Sequence, residues 1–173
     1  MFEDEFGFSF AEKVAATWAP RGQTPVLKRV EYYRREISTM AALTISGNVY
    51  KRHFRGSINA HKLLLGLEHL RRWIGKPFVL IWDRSRAHRA KCVQAYLAQH
   101  PEIMVEFLPS YAPELNPEEY CHGNIKQQLR NWTPRTVAQI QALLNRGFAR
   151  LRHRPDLLLA CFHHAGLALN HLW

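Results

Sequence analysis

The chain opens on a two-residue rhythm. Phe2, Phe6, Phe8 and Phe10 share one parity, and Glu3, Glu5, Gly7 and Ser9 fill the other, which is the period of a pleated strand. The first ten residues are therefore read as a strand, with Glu3 and Glu5 turned to solvent. A short run after Pro25, Val26-Leu27-Lys28, is read as a second strand, and a third spans Thr39 to Ile45. The Ser46-Gly47-Asn48 turn signal lets that third segment return through Val49-Tyr50-Lys51-Arg52. Short connections make an antiparallel meander the economical arrangement.

From about Ala60 the period changes. Leu63, Leu64, Leu67, Leu70 and Ile74 recur at helical spacing, with Asn59 placed to cap and Gly75 to stop the helix. PFVLIWD follows, a near-continuous apolar run expected of a strand buried on both faces. A helix from about His88 to Gln99, a strand over IMVEFL, a loop from Pro109 to Pro117 and a helix to about Asn131 come next. A helical stretch from Thr136 to Leu151 and, beyond Pro155, a short apolar helix ending near Leu169 close the chain. The order β-β-β-α-β-α-β-α-α predicts an α/β domain whose mixed sheet, three antiparallel strands then β-α-β-α, is flanked by helices. No internal repeat, low-complexity tract or linker interrupts it, so residues 1–173 are read as one domain.

Composition adds a partner class. The 173 residues suffice for one sizeable core, and 47% apolar against 22% charged is a globular balance. Lysine and arginine number 24 against 14 aspartate and glutamate, a formal +10. Such a surplus favours a polyanion, because neutralised phosphates release condensed counterions. Anionic lipid would attract it too, but no apolar run is long enough to span a bilayer and no signal pattern opens the chain. The expectation is a cytoplasmic protein with no membrane attachment. Three scattered cysteines, Cys92, Cys121 and Cys161, fit neither a disulfide framework nor a zinc site. The ten histidines show no H-x-x-x-H spacing and are expected on the surface or facing nucleic acid, while Trp73, Trp82 and Trp132 are expected in the core.

Three acids stand out against this background. Asp4 shares the parity of the phenylalanines, and a carboxylate on an apolar face is costly unless a cation meets it or the strand lies at an edge. Asp83 ends the buried strand, where ligands of α/β sheets gather, although a turn or helix cap would use the same residue. Glu119 lies three positions after Asn116 in LPSYAPELNPEEY, nearly a capping box, and spacing alone does not choose it over Glu118 or Glu114. Together the three suit phosphoryl transfer by two metal ions held roughly 3.5–4 Å apart by converging carboxylates. Carboxylates packed so closely repel, so without metal at least one should titrate high.

The stretches FEDEFGF, VLIWDRSRAHRA and LPSYAPELNPEEYCHGNIKQQLR resemble the three motifs of the DDE superfamily endonuclease domain. They are most similar to those of bacterial insertion-sequence transposases related to mariner, the six-thirty group. The resemblance covers almost the whole chain and maps the family's acids onto Asp4, Asp83 and Glu119. The family's histidine five residues beyond its second acid maps onto His88, and 35 residues separate Asp83 from Glu119, similar to the family's spacing. Arg84 stands where the family often has Asn, Glu118 where it often has an apolar residue, and His122 in place of a frequent Trp.

The resemblance implies an RNase H-like fold, two Mg2+ or Mn2+ ions on the three acids, double-stranded DNA as substrate and cut-and-paste transposition by a homodimer. It also implies a helix-turn-helix region that reads the element's ends. With Met1 only three residues before Asp4, that portion is expected from an upstream reading frame. The alternatives are an RNase H-like nuclease that does not join strands, and an inactive fragment that only binds nucleic acid. For DNA contact the sequence offers His88; Lys126 and Arg130 on the Glu119 helix; Lys51 and Arg52 near a hairpin end; and Arg150 in a basic cluster with Arg146, Arg152, His153 and Arg154. A solvated basic face, or favourable charge at a helix C-terminus, explains the latter groups equally well.

Overall fold

The aromatic-rich first strand lies at the centre of the sheet. The computed structural model describes residues 1–10, 14–28 and 37–171. In it β1 (Phe2–Phe8) pairs antiparallel with β2 (Ile37–Leu43), which pairs antiparallel with β3 (Val49–Arg55). On its other side β1 runs parallel to β4 (Phe78–Trp82), and β4 parallel to β5 (Ile103–Phe107). The order is β3-β2-β1-β4-β5, so the mixed sheet expected from the sequence is present. The second strand is not where the short apolar run suggested. Val26 and Leu27 are exposed and irregular, and the hairpin partner of β3 is the segment expected as strand three. The three-residue run Val26-Leu27-Lys28 offers too little side chain to hold a pairing.

Alternation sends the two faces of β1 into different layers. Phe2, Phe6 and Phe8 pack with Ile37, Ala41 and Leu43 of β2 against α3 (Pro117–Gln128), α4 (Val137–Arg152) and α5 (Pro155–His164). Behind the sheet, Met40, Ala42, Leu80 and Trp82 pack against α1 (Ala60–Ile74) and α2 (Lys91–Gln99). Helix α1 has the ends the sequence announced: Asn59 accepts from the Lys62 N–H, and Gly75 closes it in the left-handed region at φ 64°. Helix α2 begins three residues later than expected, because residues 86–89 form a turn, closed by Arg89 N–H to Ser85 O. Helix α5 stops at His164, short of Leu169, where Gly166 takes φ 78° and the Leu167 N–H bonds back to Phe162 O.

Two further expectations change. Inner strand β4 is fully enclosed only on its α1–α2 side; Val79, and Met104 beside it on β5, are exposed. Of the three tryptophans expected in the core only Trp82 is there, with Trp73 and Trp132 exposed. Among the described residues no helix is long and apolar enough to cross a membrane.

The rear layer depends on a close approach at Gly66, where a methyl group would overlap Met40 Sδ. Met40 is itself buried in β2, so the overlap can be relieved only by repacking. Alanine favours helix over glycine by about 1 kcal/mol, while overpacking a filled core costs about 1–3 kcal/mol. Gly66→Ala is therefore expected to lower stability despite its helix propensity; urea titration reads the difference, and a gain in midpoint would show that α1 is not pressed onto β2.

Candidate active site

Two features of the sheet bring Asp4 and Asp83 level. Phe2 is in register with Ile81 in the parallel β1–β4 pair, and two residues further along each chain stand Asp4 and Asp83. Both line one cavity, and Asp4 faces His122 of α3. Helix α3 then carries Glu119 to the same place because its N-terminus is tied to β1. Asn116 Oδ1 accepts from the Glu118 N–H as the cap, and Asn116 Nδ2 donates to Glu3 O at 3.2 Å. The reciprocal half of a capping box, present in α4 between Thr136 and Gln139, is missing in α3. Glu119 instead lines a cavity of about 600 Å³ together with Asp4, Asp83, Arg84, Arg89 and Tyr111. Among the described residues no lysine or arginine pairs with any of the three acids.

The consecutive acids Glu3, Asp4 and Glu5 divide between the two faces, and a histidine meets them on each. Behind the sheet, His88 is wholly enclosed and stacks on Trp82 at 4.0 Å. Its Nε2 lies 3.3 Å from Glu5 Oε1 and 3.6 Å from Glu3 Oε2, and its Nδ1 lies 2.7 Å from Asp83 Oδ1. Burial pulls this imidazole's pKa down, but the bonds to Asp83 and Glu5 and the charge of Glu3 outweigh it and hold the pKa at about 11. His88 is thus an internal cation, and it holds Asp83 below the usual carboxylate range with help from the Ser85 N–H. The sequence reading placed His88 among the DNA contacts and Glu3 in solvent. Both are fully buried, because β1 is an inner strand and its rear face belongs to the core. Burial, and then Glu5, push Glu3 well above the carboxylate range.

On the α3 side the compensating charge is missing. His122 is 2% exposed and lies against the Phe6 ring at 4.1 Å. Its Nδ1 is 3.6 Å from Asp4 Oδ2 and its Nε2 3.4 Å from Glu118 Oε2. Burial, aided by Lys126, pushes this imidazole down to about 3, so it is neutral and brings no positive charge to Asp4. Burial, then Glu119, push Asp4 up to about 8, with Glu5 and Asp83 adding to the repulsion. Glu118 is also raised, by burial and then Asp4, and neither of its oxygens has a hydrogen-bond partner. Ligand atoms of Asp4, Glu119 and His122 all lie within 4.8 Å of one another. Converging, unneutralised carboxylates beside a neutral imidazole fit a divalent cation.

The family model for DDE superfamily endonucleases matches residues 1–143. The chain belongs to this family. No curated protein matches it. Among solved structures, this DDE domain is similar to the Mos1 transposase paired-end complex with left transposon end (19% identity, 99% of this chain and 56% of that chain, TM-score 0.66). It is similar also to the Mos1 mariner paired end complex with Mn (19% identity, 98% and 56%, TM-score 0.67) and to the catalytic domain of Mos1 mariner transposase (16% identity, 98% and 83%, TM-score 0.63). At such identities the likeness shows the fold, which is RNase H-like. The chain spans just over half the length of the Mos1 chains in the two complexes.

The basic residues singled out in the sequence divide into two groups. Lys51 bonds Asn145 and lies over the Phe148 ring, and Arg52 stacks on Phe54 and donates to Leu65 O at 2.8 Å. Arg152 is spent on Val49 O and Arg154 on Asp156. Lys126, Arg130 and Arg150 are exposed, Lys126 lying over the Phe6 ring near the acids. Sequence reasoning missed His122 as a site residue and Arg89 at the cavity; the E-x-x-H spacing of Glu119 and His122 was the available signal for the first.

The shifts set a sign for pH. Asp4 keeps its proton in the folded chain up to about 8 while unfolded Asp4 ionises near 3.8, so folding stability falls as pH rises between those values. His88, raised from 6.5 to about 11, contributes with the same sign above 6.5. Metal-free protein is expected to lose stability between pH 6.5 and 8, and Asp4→Asn to shrink the loss. Denaturant melts in chelator at the two pH values check this; a flat profile would contradict the buried, unneutralised Asp4.

Proposed function

We propose that this DDE domain is the catalytic domain of a mariner-related insertion-sequence transposase, cutting double-stranded DNA and joining its ends to a target. The observation that carries the reading is that Asp4, Asp83 and Glu119, from three distant segments, line one cavity, with no lysine or arginine paired to any of them among the described residues. In this reading the three are catalytic residues and hold Mg2+ or Mn2+, two ions in all. Ions held there would supply Lewis acidity toward an attacking water or 3′-hydroxyl and the departing oxygen.

The chain's own residues position and protect. His88 fixes one carboxylate oxygen of Asp83 from behind the sheet, and the Asn116 tether fixes the start of α3 and hence Glu119. Arg84, held over the Phe107 ring, and Arg89 face the same cavity, where they meet the DNA phosphates flanking the scissile bond. Lys126, Arg130 and Arg150 extend the positive surface along α3 and α4, and Lys51 and Arg52 add charge near the β3 edge. Solved Mos1 complexes with a transposon end and with Mn support the DNA and metal assignments. The reading includes a homodimer, a helix-turn-helix portion outside the matched region that reads the element's ends, and action in the bacterial cytoplasm, in keeping with three free cysteines.

Asp83→Ala is expected to reduce Mg2+-dependent nicking of duplex DNA by at least about 100-fold, the scale on which removing one preorganised charge-stabilising group acts. Undiminished cleavage by the purified, folded variant would defeat the assignment. A strand-transfer assay with a pre-cut end and a plasmid target separates transposition from hydrolysis: covalent joining is expected, and release of cut ends alone would make the domain a nuclease.

A further inference from the structure

Glu119 and His122 are three positions apart on α3 and so share a helix face, the face turned to Asp4. His122 sits behind the cavity floor with both ring nitrogens lacking a hydrogen-bond partner, a costly state for a buried polar group unless something absent from the apoprotein satisfies it. One nitrogen is directed at Asp4 and the other at Glu118, itself completely enclosed and unpartnered. A buried carboxylate behind an imidazole, with the imidazole's second nitrogen facing open carboxylates, is the arrangement by which proteins orient a histidine toward a metal.

We propose that His122 is a nitrogen ligand completing an Asp4–Glu119–His122 set for one of the divalent ions, with Glu118 orienting its ring. This deepens the transposase reading and rests on its assignment of Asp4 and Glu119. The consequence is selectivity. Magnesium takes oxygen donors and retains its waters, whereas imidazole suits first-row transition metals. The site therefore favours Mn2+ over Mg2+ more strongly than three carboxylates alone.

The test uses the full chain, stripped of metal and titrated with Mn2+ alone, read by electron paramagnetic resonance. Pulsed measurements on the bound ion are expected to show coupling to a nitrogen nucleus, absent in His122→Phe, which keeps a ring against Phe6. His122→Phe is expected to lose about tenfold or more in Mn2+ affinity while Mg2+ affinity, measured by competition, holds. If Asp4→Asn and Glu119→Gln abolish Mn2+ binding but the wild type shows no nitrogen coupling, His122 is not a ligand and the carboxylate reading stands. If those two variants bind Mn2+ like the wild type, the carboxylate reading falls and the proposal with it. Should His122→Phe fail to fold, the wild-type spectrum alone decides.

Discussion

An inner strand that carries three acids in a row must bury charge on both of its faces, and the site follows from how each face answers. Behind β1 the answer is internal: His88, its pKa raised, lies among Glu3, Glu5 and Asp83, closest to Asp83, and burial raises Glu3 itself. In front it is external. The histidine there is neutral, the carboxylates of Glu119, Glu5 and Asp83 add repulsion, and Asp4 retains its proton to about pH 8 in the apoprotein. A fold that spends one cation behind the strand and leaves its front uncompensated is built to receive positive charge from outside.

Much of this was legible in the chain. Aromatic alternation gave β1, the leucine spacing with Asn59 and Gly75 gave α1, and VLIWD gave the strand that ends at Asp83. What alternation could not reveal was the position of β1 in the sheet. The same period describes an edge strand with one wet face and an inner strand with none, so Glu3 and Glu5 read as solvent-facing until β4 is seen paired beside β1. His88 was hidden for the same reason: its role depends on a turn that brings it against Trp82, and no local pattern announces a contact with Glu3 and Glu5, more than eighty residues away in the chain.

The positions where the sequence departs from its family's pattern gain meaning from the coordinates. Glu118 and His122 lie on adjacent turns of α3 and face each other across 3.4 Å, one buried acid beside one buried base. Either alone would be a costly polar insertion in the core; as neighbours behind Asp4 they form one unit. Arg84 likewise lies over the Phe107 ring, 5.4 Å from its centroid, at the cavity wall. Lys51 and Arg52 carry their charge while bonded within the protein, to Asn145 and to Leu65 O, which a count of charges cannot foresee.

The account turns on cations shared by Asp4, Asp83 and Glu119. Anomalous diffraction at the manganese edge from crystals grown with Mn2+ tests it directly. Peaks among the side-chain oxygens of these three residues are predicted. A map with no ion there, at Mn2+ levels that saturate binding in solution, would contradict it.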